Sequence, residues 1–208
     1  MYLPAHFEEN RVEELHRIIT EFPFGALVMN GPNGLDANHF PFMFDVQAGG
    51  QGKLLAHVAR NNPVWQDACD GDDVLVIFRA GQAYVSPNWL PSKHEEHRQV
   101  PTWNYQVVNV HGKITIRDDA RFLRGLLARL TRTHEARMGE AKPWKMGDAD
   151  PAFIDGRLAE IVGIEIDITK IVGKSKLSQN KDARDRAGIV QALRARGEDD
   201  TANAMLNT

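Results

Sequence analysis

The sequence predicts a mainly β protein with flanking helices, in which an antiparallel sheet closes into a small barrel. Three observations support this fold class. About six short apolar strands recur along the chain, most of them are joined by tight turns rich in Gly and Asn, and the strands do not alternate regularly with helices. The last observation argues against a doubly wound parallel sheet.

The first half of the chain supplies one helix and most of the strands. Residues 8–22 carry Val12, Leu15 and Ile18 on one helical face. Apolar runs bounded by turn residues predict the remaining elements. In chain order these are strands at 24–29, 35–45 and 53–59, a short helix at 63–69, and a strand at 73–79 that pairs back with 82–86 across a turn at 80–81.

The second half predicts one long strand and the longest helix. Residues 104–117 alternate as a half-buried strand does, and residues 118–138 carry a stripe of leucines at helical spacing. A last strand at 161–168 and a final helix at 182–196, separated by a basic loop, complete the chain. We therefore expect one domain over residues 1–208, with a helical appendage from about residue 170.

Composition limits the functional classes. The 208 residues have a formal net charge of −3, which gives no global attraction to nucleic acid or anionic membranes. The single cysteine, Cys69, excludes an intrachain disulfide and is typical of a reducing cytoplasm. The chain shows no secretory signal and no apolar run long enough to span a bilayer. These features predict a cytoplasmic protein that does not enter the membrane.

The segment from Tyr84 to Gly112 combines aromatic, proline, asparagine and histidine residues. Large flat rings beside hydrogen-bonding groups, fixed by proline, suit a wall against which a planar ligand lies. The alternative is that these aromatic residues only cover one end of the barrel. No catalytic nucleophile motif, Walker loop or dinucleotide fingerprint accompanies the segment, so any redox chemistry requires an organic cofactor. Whether the protein is an enzyme stays open at this point.

The segment from His57 to Pro63 joins the third predicted strand to the short helix. Asn62 is suited to the N-cap and Pro63 to the first helical position, which leaves free backbone N–H groups beside Arg60. Free N–H groups at a helix start with an adjacent Arg form an anion site, and phosphate is the anion we expect. The alternative is that Arg60 is a solvated surface residue.

Histidines mark two further segments. His39 precedes Phe40 at the end of a predicted strand, where it presents an imidazole to a ligand edge or serves as a structural donor. His94 and His97 are three residues apart in a proline-flanked segment, whereas the helical zinc-peptidase pattern needs a spacing of four. We therefore predict no metal site.

The stretch before the final helix is locally basic. Between residues 170 and 196 there are eight Lys or Arg residues and two Asp. Lys174, Lys176 and Lys181 precede the helix, and Asn180 is placed to cap it. This pattern is typical of a solvated basic loop, or of contact with an anionic ligand or nucleic acid.

Several motifs together resemble the PaiB family of FMN-binding negative transcriptional regulators. They are MYLPAHF, ANHFPF, LLAHVARNNPVW, AYVSPNWL, VPTWNYQVVNVHG and KSKLSQNK, in the family's order over nearly the whole chain. The resemblance implies a flavin-type split barrel related to pyridoxamine-phosphate oxidase. It also implies a homodimer with FMN bound at the subunit interface.

The resemblance implies roles for particular residues. The segment from His57 to Asn62 occupies the position at which split-barrel proteins hold the FMN phosphate. Other residues flank or face the isoalloxazine ring, contact the flavin or close the site. The expected cofactor-binding set is His39, Phe40, His57, Arg60, Asn61, Asn62, Trp103, Asn104, Tyr105, Gln179 and Asn180.

One departure from the family pattern affects the cofactor. The usual set of several Arg, Lys, Ser and Thr residues around the phosphate is thin here, which leaves haem as an alternative with His39, His57 or His111 as axial ligand. Two functions follow. The chain is a regulator that senses FMN and acts through DNA or a partner protein, or it is a flavin-dependent oxidoreductase or carrier with an indirect regulatory effect.

Overall fold

The computed structural model describes all residues from Met1 to Thr208. It contains eight strands and seven α-helices, with short 3-10 turns between some of them. The strands are β1 Glu8–Glu9, β2 Phe24–Gly31, β3 Gly34–Pro41, β4 Met43–Asp45, β5 Lys53–Ala59, β6 Asp73–Val85, β7 Thr102–Arg117 and β8 Ile161–Lys176. The helices are α1 Val12–Glu21, α2 Val64–Asp67, α3 Pro91–Glu96, α4 Ala120–Met138, α5 Pro151–Ala159, α6 Ala183–Arg194 and α7 Asp199–Leu206.

All eight strands belong to one sheet with the order β3-β2-β6-β7-β8-β5-β4, and β1 pairs with β8. The pairs β2/β3, β4/β5, β5/β8 and β1/β8 are antiparallel. In β7 the buried residues alternate with half-buried or exposed ones from Asn104 to Ile114, as expected for a strand with one face on the core. The predicted antiparallel sheet with flanking helices is confirmed.

The chain forms two compact units. The terminal unit comprises residues 1–22, 77–109 and 171–208, and the central unit comprises residues 23–76 and 110–170. Strands β6, β7 and β8 contribute residues to both units. Each unit is described separately below.

Apolar packing by α4 organises the central unit. The leucine stripe of α4 places Leu126 and Leu130 against Leu55 of β5, while Leu123 packs with Ile154 and Leu158 of α5. The helix begins where the Asp119 side chain accepts a hydrogen bond from the Phe122 N–H at 2.7 Å, and it ends at Gly139, whose φ is 68°. The helical spacing of the leucines therefore explains how α4 packs against β5 and α5.

In the terminal unit, α6 and α7 pack on the end of β6 and the turn that follows it. Ile189, Leu193 and Met205 are buried with Val85 and Leu90. A Cβ atom at Gly188 of α6 would lie 2.2 Å from the carbonyl oxygen of Trp89, so only glycine permits this close approach. Both helices are therefore integral to the unit.

Strands β6 and β8 differ from the sequence prediction. The predicted turn at Ala80-Gly81 does not exist, because β6 continues from Asp73 to Val85. Gly81 instead allows close contact with α7, since a Cβ atom there would lie 2.9 Å from the Thr201 nitrogen. Strand β8 extends to Lys176, so the first part of the predicted basic loop is strand.

Several helix boundaries also differ. Helix α1 starts at Val12 because Glu8 and Glu9 pair with β8. Asp182, not Asn180, caps α6, since its side chain accepts a hydrogen bond from the Asp185 N–H at 2.7 Å. Helices α3, α5 and α7 and the break between β3 and β4 were not predicted from the sequence.

Candidate functional site

The predicted cofactor-binding residues fall into two groups, one in each unit. The central group is His39, Phe40, His57, Arg60, Asn61 and Asn62. The terminal group is Trp103, Asn104, Tyr105, Gln179 and Asn180. Each group has a distinct geometry.

Four of the five N–H donors of the Arg60 guanidinium are engaged with protein atoms. It forms a bidentate pair with Asp118, with N–O distances of 2.9 and 2.5 Å. Its Nε donates to the Ala159 carbonyl at 2.7 Å, and Nη2 also donates to the Ile161 carbonyl at 3.0 Å. The hydrogen bond from Arg60 lowers the pKa of Asp118 below its ordinary value. A phosphate that binds Arg60 in a bidentate manner must therefore replace Asp118.

Asn62 fixes the loop between β5 and α2. Its side-chain oxygen accepts from the Val64 N–H at 3.0 Å, and its amide nitrogen donates to the Asn38 side chain of β3 at 2.9 Å. Asn61 beside it is exposed. Helix α2 is only four residues long, so its contribution to anion binding is smaller than the sequence suggested.

His39 and Phe40 point in opposite directions from β3. The His39 ring is exposed and stacks on Phe24, with ring centroids 6.4 Å apart. Phe40 is buried and packs against Phe42, with ring centroids 5.1 Å apart. This alternation leaves His39 as the member of the pair with a surface free to meet a ligand.

His57 carries an unsatisfied buried nitrogen. It lies on β5 opposite Gly163 of β8, and its Nδ1 atom is buried without a hydrogen-bond partner. Burial lowers the pKa of His57 below its ordinary value, so the neutral imidazole is favoured. A neutral ring with an open nitrogen retains the capacity to accept one further hydrogen bond or to ligate a metal.

Two half-exposed rings form the aromatic wall of the terminal unit. Trp103 on β7 is 54% exposed and Tyr84 on β6 is 47% exposed. Their ring centroids lie 6.2 Å apart in an edge-to-face arrangement with an interplanar angle of 76°. Tyr84 was not among the predicted binding residues, although it begins the aromatic segment in the sequence. This pair is called the Trp103–Tyr84 wall below.

Lys174 and Lys176 of β8 contact aromatic residues of the terminal unit. The Lys176 ammonium donates to the Trp103 carbonyl at 2.6 Å and to the Thr102 hydroxyl, and burial together with Lys174 lowers the pKa of Lys176. Lys174 is 8% exposed, donates to the Tyr2 carbonyl at 3.1 Å, and lies within 5.7 Å of the Tyr2 and Tyr105 rings. Both ammonium groups are thus occupied by protein partners.

Lys181, the third lysine of the predicted nucleic-acid contact, also has an internal partner. Its ammonium donates to the Gln99 side-chain oxygen. The three lysines therefore do not form a row of free surface cations.

The neighbours of Trp103 on β7 have different surroundings. Asn104 is fully buried, accepts from the Ser178 hydroxyl at 3.0 Å and donates to the Met205 sulfur at 3.4 Å. Tyr105 is half-buried beside Lys174. Asn104 thus supports β7 from the inside, while Trp103 faces outward.

Gln179 shapes the turn that follows β8. Its side-chain oxygen accepts from the Leu177 N–H at 2.7 Å, and its nitrogen donates to the Ser175 carbonyl at 2.5 Å. Ser178 in this turn has a positive φ of 61°. Asn180 next to it is exposed and available to a ligand.

No group of three or more His, Cys, Asp or Glu residues in the chain is arranged to hold a metal ion. His94 lies in α3 and His97 ends this helix with a φ of 57°. None of the helices has the length and apolarity needed to cross a lipid bilayer.

Two solved structures share the fold of this chain. The chain resembles the FAD and heme binding protein from Mycobacterium smegmatis, at 17% identity and a TM-score of 0.56, over 86% of this chain and 78% of the other. It also resembles the flavocytochrome Anf3 from Azotobacter vinelandii, at 12% identity and a TM-score of 0.53, over 89% and 78%. The predicted split-barrel class is confirmed.

The sequence comparison defines the family. Residues 1–170 match the family described as "Putative FMN-binding domain", and the chain belongs to this family. It is 30% identical over 195 residues to protease synthase and sporulation protein PAI 2 of Bacillus subtilis, which covers 93% of this chain and 89% of the relative. The similarity to the PaiB family inferred from the motifs is confirmed.

The described residues fit a flat ring better than a phosphate. The Trp103–Tyr84 wall offers two rings that are about half-exposed. For the phosphate, the Arg60 cation is already paired with Asp118. The sequence predicts few phosphate-binding residues, and the pairing of Arg60 with Asp118 reduces the available number further.

Proposed function

We propose that this chain binds FMN as a homodimer and acts as a negative regulator of transcription of the PaiB type. The observation that carries the proposal is the Trp103–Tyr84 wall, which leaves two large rings half-exposed in a chain of an FMN-binding family. Exposed aromatic faces fixed on adjoining strands suit stacking against a planar ligand.

In this proposal each part of the flavin has a partner in the chain. In the terminal unit, Trp103 stacks against the ring, and Tyr84 and Asn180 approach its edge. For the phosphate, the central unit offers the Asn61 backbone and Arg60 once Asp118 is displaced. Bound FMN supplies a ring that accepts and donates electrons. The chain supplies binding and orientation.

The main test is the effect of Trp103→Ala on FMN affinity. Loss of ring stacking should weaken binding by about 1–2 kcal/mol, or roughly 5- to 30-fold in Kd. Titration of FMN fluorescence against purified protein measures this change. Phe153→Ala removes another exposed aromatic ring and should leave the Kd unchanged. Equal affinities in Trp103→Ala and wild type would move the ring elsewhere.

The dimer is proposed because the terminal unit leaves several large apolar side chains exposed to solvent. Tyr2 is 85% exposed, and Val100, Trp103 and Tyr84 are exposed as well. A second copy that covers these side chains on both subunits requires a twofold interface. Sedimentation of the FMN-loaded protein should give twice the chain mass of 23.3 kDa, and a monomer at micromolar concentration would contradict the dimer.

We further propose that regulation proceeds without base-specific DNA reading by α7. The pair α6 and α7, joined across Gly197, has the connection length of a helix-turn-helix. However, Glu198, Asp199 and Asp200 stand at the start of α7, where a recognition helix meets anionic DNA. A partner protein or the flavin itself is the favoured route.

A gel-shift experiment tests this route. The FMN-loaded protein should not shift a promoter fragment in a salt-dependent manner. A salt-dependent shift that is lost in a Lys174/Lys176/Lys181→Ala variant, with FMN affinity retained, would instead support direct DNA binding.

The second candidate function is redox chemistry with flavin or haem. The observation that favours it is His57, whose buried Nδ1 lacks a partner and whose lowered pKa favours the neutral, ligating form. Flavin absorption bands in the purified protein support FMN, and a Soret band that is lost in His57→Gln supports haem. Reduction of bound flavin by NADPH with sustained turnover would support an oxidoreductase.

A further inference from the structure

A pocket of about 450 Å³ lies in the central unit, between the outer face of α4 and the loop that follows this helix. It shares no lining residue with the candidate cofactor-binding set. The helix face contributes every third or fourth residue, and the loop contributes four consecutive ones. The lining residues are Ala128, Thr131, Arg132, Glu135, Ala136, Pro143, Trp144, Lys145 and Met146.

Hydrogen bonds hold the loop in place over the helix. The Trp144 N–H donates to the Glu135 carboxylate at 3.0 Å. The Lys145 N–H donates to the Asp148 carboxylate at 2.9 Å, which fixes the 3-10 turn from Met146 to Asp148. The pocket walls are therefore tied to each other rather than left as a loose loop.

Most of the exposed lining surface of the pocket is apolar. Ala128 and Ala136 lie two turns apart on α4, and their short side chains leave depth on either side of Arg132. Pro143, Trp144 and Met146 form the facing wall, and the Trp144 indole is 44% exposed. Such a surface takes a ring or a branched hydrocarbon group.

The charges at the rim are unbalanced in favour of cations. Neither Arg132 nor Lys145 forms an ion pair through its side-chain cation. The one carboxylate of the lining, Glu135, already accepts the Trp144 N–H. An apolar pocket with two unpaired cations is complementary to a hydrophobic anion.

We propose that this pocket is a second ligand site, which binds a small aromatic carboxylate. The ring of the ligand lies between the alanines of α4 and the Trp144 indole. Its carboxylate meets the Arg132 guanidinium, a planar donor that pairs with carboxylates in a bidentate manner, with Lys145 as the second cation. A volume of about 450 Å³ accommodates two fused rings and a carboxylate.

Calorimetric titration with 2-naphthoate tests the site in the FMN-loaded protein. We expect saturable binding with one ligand per chain. Arg132→Gln should weaken it at least fivefold, and Lys145→Gln should weaken it by a smaller factor. Arg121→Gln removes another exposed arginine of the same helix, outside the pocket, and should leave the Kd unchanged. Circular dichroism verifies that each variant is folded.

Two further titrations test the role of the ligand's charge and the independence of this pocket from FMN. The neutral analogue 2-naphthamide has nearly the same shape and should bind at least fivefold more weakly than 2-naphthoate. Equal binding of the two, or equal binding by Arg132→Gln and wild type, would overturn the anion site. In the FMN-free protein, displacement of 2-naphthoate by added FMN would show that the pocket belongs to the flavin, and it would overturn a second site. Trp103→Ala should not alter 2-naphthoate binding.

Discussion

The terminal and central units differ in the number of polar groups that they bury. Nine of the ten buried polar or charged residues lie in the terminal unit, and the exception is Glu165 of the central unit. Both units bury apolar contacts, those of α4 and α5 in the central unit and those of α6 and α7 in the terminal unit. The nine are Glu9, Ser92, Asn104, Gln106, Lys174, Ser175, Ser178, Asp185 and Thr201. The comparison indicates that hydrogen bonds between buried polar groups fix the interior of the terminal unit, which carries the Trp103–Tyr84 wall.

Buried hydrogen bonds in the terminal unit form a connected network. The Gln106 amide donates to Ser175 at 3.0 Å and to Glu14 at 2.8 Å, and the Ser175 hydroxyl donates to Glu9 at 3.0 Å. Burial opposes ionisation of Glu9, but its bonds from Arg11 and Ser175 lower the pKa of this carboxyl overall. Such a network fixes geometry, since any unpaired member is costly. Apolar packing allows more adjustment of side chains.

The largest expected effect is the loss of packing in the central unit. Leu126 of α4 is fully buried against β5, so Leu126→Ala should lower the free energy of unfolding by about 2–5 kcal/mol. Urea denaturation measures the change. Leu35→Ala, at a position that is 80% exposed, should cost much less. Similar costs for the two variants would remove apolar packing as the basis of this unit.

An intermediate effect is expected from the polar interior of the terminal unit. Asp185 accepts from the Ser92 N–H at 3.0 Å and from the Ser92 hydroxyl at 2.6 Å, and so joins α6 to α3. Asp185→Ala leaves these donors unpaired and should cost about 1–3 kcal/mol of unfolding free energy. Asp199→Ala, at an exposed position, is the matched control. If both variants lose the same small amount, the polar contacts do not stabilise this unit.

The smallest effect concerns pH and the central unit. Because burial lowers the pKa of His57 in the folded state, the unfolded chain binds a proton more readily. The stability contributed by the neutral ring is full above about pH 6.5 and is lost as the pH falls below it. His57→Gln should therefore lose less stability between pH 7.5 and 5.5 than wild type, by urea denaturation at both values. His94→Gln, at an exposed position, should behave as wild type, and the same behaviour in His57→Gln would contradict burial of the ring.

Local patterns predict those parts of the fold that local interactions determine. Strand β5 has the predicted bounds from Lys53 to Ala59, because turn residues flank a short apolar run. The turn predicted at Gly81 is wrong, because a glycine for close approach and a glycine for a turn look alike in a sequence. Only the position of Thr201, more than a hundred residues away, distinguishes them.

The candidate site likewise contains one feature that local patterns predict and others that they do not. Trp103 was predicted to face a ligand, and the alternation of β7 leaves it outside while Asn104 points inward. The alternation was visible in the sequence, but which face is buried depends on Ser178 and Met205, distant in the chain. Likewise nothing near Arg60 in the sequence indicates that Asp118 pairs with it. Interaction partners that only the fold brings together cannot be inferred from local sequence patterns.

The Arg60–Asp118 pair has a consequence for ligand affinity. A carboxylate in bidentate contact with a guanidinium imitates the anion that the arginine would otherwise bind. Asp118 is thus a competitor built into the chain, and an incoming phosphate gains only the difference between the two contacts. If Arg60 is the phosphate contact, affinity for phosphorylated ligands would be limited by this exchange of anions in addition to the small number of cations at the site.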